Sequence, residues 1–288
     1  MTMRSDRYPP TARTVMVPMA LTNGVLPTGL PAPAFRAFVM LVSLANDNGF
    51  VDILKPELER LISTRIDNAT RFLEPLRESV IDMPGIDHDS VGEPWFESVE
   101  YLPGEQKRLA GVIRLQLSGA ARSVLASIAY PGTVAIAADE FRRLSTVPGI
   151  IVYLRCRRLI SAVGKAAEIQ ERFDDAGLFQ LFGQYSAAAV SNKRKADGEI
   201  GQTLSISRMT DTLLEPAVQD VRRHVDDVVV VLSEGRPEGG GRGRRWSHVD
   251  LLIAPRPKRL SVRDIDAMMT EKQRHRSEIA DRRAGKTA

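Results

Sequence analysis

Proline stands inside an amphipathic helical pattern at two places in this chain, each time after the same two letters and just before a pair of strand-like runs. The first is Phe72-Leu73-Glu74-Pro75-Leu76 and the second is Leu213-Leu214-Glu215-Pro216-Ala217. Proline lacks the helical N–H and its ring meets the carbonyl four residues back, so each helix either begins at its proline or kinks there. A repeated helix-then-strand-pair unit predicts two related domains rather than one large one.

The surrounding pattern fits that division. Residues 1–33 carry Pro9, Pro10, Pro18, Pro27, Pro31 and Pro33 and read as an irregular leader that packs only in part. Ala34 to Ala45, Lys55 to Ile62 and Asp67 to Ile81 read as three helices, the last capped by Asp67 or Asn68. Trp95 to Leu102 and Leu109 to Leu117 then read as a hairpin, which completes the order of a winged helix. After Pro131 the order restarts, with a short strand at Thr133 to Ile136, a helix near Ala138 to Leu144 and a longer one from Pro148 to Val163. Helical stretches are predicted at Ala166 to Phe173 and Asp175 to Phe182, a polar mobile loop at Ala187 to Gln202, and a helix at Ser207 to Val225. Two strands close the unit, Asp227 to Ser233 and Trp246 to Ala254. The fold class expected is α+β: tandem winged-helix domains at residues 1–138 and 139–257, then a basic helical tail at residues 258–288.

The chemistry concentrates in the second helix and hairpin. Leu214, Ala217, Val218, Val221 and Val225 form one stripe, and the opposite face holds Arg208, Thr212, Glu215, Gln219 and Arg223, with Arg222 at its edge. Arg can donate to guanine through two N–H groups, Gln can pair with adenine and Glu can accept from cytosine, so this set could read bases. Any soluble helix has a polar face, however, and the helix alone does not decide. The loop Glu234 to Arg245 does more: five glycines give backbone freedom, and Arg236, Arg242, Arg244 and Arg245 give charge suited to a wing following a DNA backbone. The matching helix of the first half presents Asp67, Arg71, Glu74 and Glu78, so a lesser DNA role is expected there, backbone contact or dimerisation.

Several classes are excluded. The 288 residues hold 40 Lys and Arg against 36 Asp and Glu, for a formal charge of +4 and a pI of about 9.3. With 43% hydrophobic residues, the chain can bury two cores. No apolar run reaches the length of a membrane span, and neither a signal segment nor a second cysteine beside Cys156 is present, which predicts a cytoplasmic protein with no membrane partner. His88, His224, His248 and His275 share no metal-ligand spacing with Cys156. Tyr153 and Tyr185 lack the paired-histidine metal motif that a nicking nucleophile needs. Neither enzymatic activity, nor a cofactor, nor a metal is expected.

The run Leu213-Leu214-Glu215-Pro216-Ala217-Val218-Gln219-Asp220-Val221, followed by an apolar strand, Gly243-Arg244-Arg245 and Val249-Asp250-Leu251-Leu252-Ile253, resembles the iteron-binding initiator proteins of plasmid replication. Val152-Tyr153-Leu154 is similar to the helix that opens the second winged-helix domain of that family. The resemblance implies binding to repeated duplex sites in a plasmid origin, local strand opening, and recruitment of a host initiator and replicative helicase. It also implies homodimers that repress their own gene and monomers that initiate. Two other outcomes use the same helices: a transcription regulator bound to a promoter operator, and a protein-interaction scaffold without DNA.

Overall fold

The computed structural model describes residues 14–83, 89, 91–104, 110–127, 132–163, 168–183, 185, 190–194, 200–204, 206–235 and 248–255. The leader is not irregular over its described part. Strand β1 (Thr14–Pro18), a 3-10 turn (Met19–Asn23) and the short β2 (Leu26–Pro27) lie within the core, with Val15, Val17, Ala20, Leu21, Val25 and Leu26 all buried. The partner of β1 explains this order: it pairs antiparallel with residues 133–137, placing Met16 opposite Ala135. The backbone groups of β1 are met by this distant strand.

Helix α1 (Ala32–Leu44) is buried along every side from Ala34 to Val42. A helix apolar all round is a core helix, and α1 touches β1, both helices that follow it, and the long helix of the second half. Strand β3 (Phe50–Leu54) leads directly into α2 (Lys55–Ile62), which has Pro56 in its first turn. Helix α3 (Ala69–Glu78) is capped by Asn68, whose side chain accepts from the Arg71 N–H at 3.0 Å. It runs straight through Pro75, which leaves the Arg71 carbonyl without its usual helical donor. The two-residue β4 (Ile81–Asp82) pairs with β2. Strands β5 (Phe96–Leu102) and β6 (Val112–Leu117) form the hairpin, and the sheet order is β3-β6-β5, all antiparallel. Phe38 stands edge-on to Trp95, with ring centroids 4.8 Å apart, and Trp95 donates from its indole to the Leu26 carbonyl at 3.3 Å.

A short α4 (Gly119–Leu125) precedes β7 (Thr133–Ala137), where the plan begins again. Helix α5 (Ala138–Phe141) and the long α6 (Val147–Val163) lead to β8 (Ile169–Phe173) and α7 (Asp175–Phe182). Residues 169–173, expected to be helical, form this strand because they pair with the final strand, setting Phe173 opposite Val249. Within the predicted mobile loop, β9 (Val190–Arg194) and β10 (Ile200–Leu204) form an antiparallel hairpin. Then come α8 (Ile206–Met209), a π turn (Thr210–Leu214), α9 (Glu215–His224), β11 (Val228–Gly235) and β12 (His248–Pro255). The sheet order β11-β12-β8 repeats that of the first half, strand for strand. The fold is α+β, with two winged-helix units.

One buried cluster runs from Val15 to Ile253 through both units. Gly24 marks the closeness of the contact: its φ is +89°, and a Cβ there would stand 2.6 Å from the Gln180 carbonyl oxygen on α7. The tyrosine hydroxyl of Tyr185 accepts from the Leu30 N–H at 3.1 Å and donates to the Pro27 carbonyl at 3.2 Å, another tie across the halves. No described helix is long and apolar enough to cross a membrane.

Candidate nucleic-acid interface

The outward element of the second unit is continuous from Ile206 to His224, yet it passes through a π turn, and Pro216 supplies the reason. With no N–H and a ring that would strike the Thr212 carbonyl, the chain widens by one residue, and the Glu215 N–H bonds back to the Thr210 carbonyl instead. The buried side is Met209, Leu213, Leu214, Ala217, Val218 and Val221. Arg208, Thr212, Glu215, Gln219 and Arg223 are exposed and Arg222 is half-buried. The Thr212 hydroxyl donates to the Arg208 carbonyl at 2.6 Å, which occupies its proton within the helix. Arg236, Arg242, Arg244 and Arg245 lie outside the described residues, as do Trp246 and the tail at 258–288. The strands flanking that loop are in register, with Gly235 opposite His248, so its two ends are set side by side.

The helix is locked in place by a residue the sequence reading did not single out. Asp220, on the buried side of α9, accepts at 2.9 Å from the N–H and hydroxyl of both Ser145 and Thr146, just before α6. Thr146 in turn caps α6, its hydroxyl accepting from the Gly149 N–H at 3.0 Å. A side chain at Gly149 would collide with the Asp220 carboxylate, so the close approach depends on glycine at that position. His224, one turn along, stands 3.6 Å from the same carboxylate. An acid within an apolar stripe was the available signal.

The entry to the hairpin is held similarly. Arg157 on α6 donates to Asp227 at 2.7 and 2.8 Å and to Glu140, and its guanidinium lies 5.2 Å from the Tyr153 ring centre. Burial works against the Arg157 charge, but Asp227, Tyr153 and Glu140 raise its pKa above the ordinary value. Burial likewise raises the Tyr153 phenol. On the outer sheet face Asp250 takes Arg172 at 2.9 Å and Gln170 at 2.7 Å. The first unit carries the same cross-strand pair with acid and base exchanged, Asp52 with Arg114 at 2.9 Å. Its own outward helix exposes Arg71, Glu74, Arg77 and Glu78, a mixed face.

Two winged-helix units in tandem, the second presenting a locked outward helix beside a hairpin, define the class. No family model and no curated protein matches the chain in sequence. In structure, the chain matches the Pi initiator protein, known as a crystal structure in complex with iteron DNA, at a TM-score of 0.58 and 16% identity, over 85% of this chain and 98% of that one.

Proposed function

We propose that the protein is a plasmid replication initiator that binds repeated duplex sites in its origin, opens it, and recruits a host initiator and the replicative helicase. The observation that carries this reading is the outward face of Arg208, Gln219 and Arg223 on a helix that Asp220 holds rigid, leading into a hairpin with an Arg- and Gly-rich connection. A rigid mount lets a polar face discriminate bases, because misplaced donors lose their partners. The shared fold with an initiator solved on iteron DNA supports the same choice. The second unit supplies most of the specificity, and the mixed face of α3 contacts backbone or mediates dimerisation.

The protein acts by binding in the cytoplasm and not by catalysis. Cys156 is no candidate nucleophile, since burial in α6, reinforced by the Glu171 charge, pushes its thiol up to about 12 and keeps it an inert core group.

Footprinting on the DNA flanking the gene tests the proposal. Protection of short direct repeats in an AT-rich stretch is the result expected. Protection of one palindrome at a promoter would make the protein a transcription regulator, and no duplex affinity even at low salt would leave an interaction scaffold.

A further inference from the structure

The turn between α5 and α6 is gripped from both halves at once. From the second half, Asp220 of α9 holds Ser145 and Thr146. From the first half, Arg36 of α1 donates through Nη1 to the Leu144 carbonyl, and through Nη2 to the Thr64 hydroxyl at 2.9 Å. Thr64 lies in the turn between α2 and α3, and its hydroxyl donates onward to the Ile62 carbonyl at 3.2 Å. A polar path therefore joins the approach to one outward helix with the body of the other, through three residues of main chain.

This arginine is costly to keep. It is 8% exposed on a helix otherwise apolar, and its Nε has no partner among the described residues. Burial lowers its pKa, and the charge that works against the lowering is the Asp220 carboxylate of the opposite half. A buried ion that is only partly satisfied is a poor stabiliser beside an apolar residue of similar volume, so stability does not account for it. What a guanidinium adds is direction: a planar fork fixes two acceptors relative to each other, whereas the apolar packing elsewhere in this contact is non-directional.

We propose that Arg36 is a positioning residue that sets the angle and distance between α3 and α9, and through them the separation of the two duplex segments the units meet. This rests on the duplex-binding reading above, in its form where α3 meets the duplex rather than a second subunit, and takes the exposed Arg71 and Glu74 of α3 to give that helix a base preference of its own. One base pair moves a site about 3.4 Å along the duplex and turns it about 34° around the axis, so a fixed mount should tolerate one spacing only.

The test uses full-length parent protein, Arg36→Met, Arg36→Lys and Thr64→Val. The parent is first used to select from a duplex library with a random core of about 40 base pairs, long enough for several half-sites. All four proteins are then measured on the selected duplex with one base pair inserted or removed between its two motifs. The parent should lose roughly tenfold in affinity on either change. The Arg36 variants should keep both motifs and lose less than about threefold, with Thr64→Val shifted the same way. A variant that merely loosens the fold would lose affinity at all spacings alike. Should Arg36→Met fail to fold, Arg36→Lys and Thr64→Val decide. Folded variants that keep the parent's tenfold penalty overturn the proposal. A parent that selects a single motif overturns it too while duplex reading stands, and a parent that selects no duplex at all brings down both.

Discussion

At the scale of the residue, two carboxylates show how differently an acid can be used inside one unit. Asp220 gathers the N–H groups and hydroxyls of Ser145 and Thr146 just before α6, so its loss orphans several donors together. Asp220→Ala should lower unfolding free energy by about 2 to 4 kcal/mol, read from the urea midpoint at constant slope. Asp250 is an electrostatic case. Burial alone would raise its pKa, but Arg172 and Gln170 hold it below the ordinary value. Its contribution is therefore whole near neutral pH, begins to fade as pH falls below the unfolded carboxylate value of about 3.9, and is gone once the folded carboxyl is protonated. Asp250→Asn should be less stable than the parent at about pH 7, and the gap should narrow as the pH is lowered below about 3.9. A gap that stayed constant would mean that the amide is simply a worse fit.

At the scale of the element, the proposed function divides the work between helix and hairpin. Gln219→Ala or Arg223→Ala should relax base preference by about 1 to 3 kcal/mol at the affected position, measured by competition between matched and mismatched duplexes. Replacing Arg242, Arg244 and Arg245 with Ala should weaken binding to every sequence and reduce the slope of log affinity against log salt by about 0.9 for each lost phosphate contact. Elements with a long apolar period were legible in the sequence: α1, α2, α3, α6 and α7 stand where the 3.6-residue pattern puts them, and so does the run from Ile206 to His224. Most short strands were not, although β7 stands at the predicted Thr133 to Ile136. Ile169-Gln170-Glu171-Arg172-Phe173 has ordinary helix formers at its centre and becomes β8 only through β12, which lies far along the chain. The strands β1 and β3 and the β9–β10 hairpin were missed for the same reason, since a partner's position is not written in the strand itself. The exposed face of Arg208, Thr212, Gln219 and Arg223 was legible from periodicity, whereas the π turn beneath it was not, because either outcome at Pro216 satisfied the pattern.

At the scale of the whole molecule, the two units share a core that neither completes alone. Val17 on β1 is fully buried, and its strand is held by β7, where the plan begins again. Val17→Asp should cost several kcal/mol and lower the stability of both halves together, because an unpaired carboxylate would sit at their junction. In a Trp246→Phe background, Trp95 fluorescence, reporting on the first unit, and far-UV circular dichroism, reporting on both, should then shift in one coincident transition; two separated transitions would show that the halves unfold independently. The pairing of β1 with β7 also bears on how the chain is made. About 115 residues separate Pro18 from Thr133. At about 5 to 20 residues per second the first strand emerges from the ribosome some 6 to 23 seconds before its partner does. Through that interval the N-terminal strand has an open edge and an apolar face, Val15 and Val17, that translation itself leaves uncovered, making this the stage of the protein's life at which a chaperone would find most to hold.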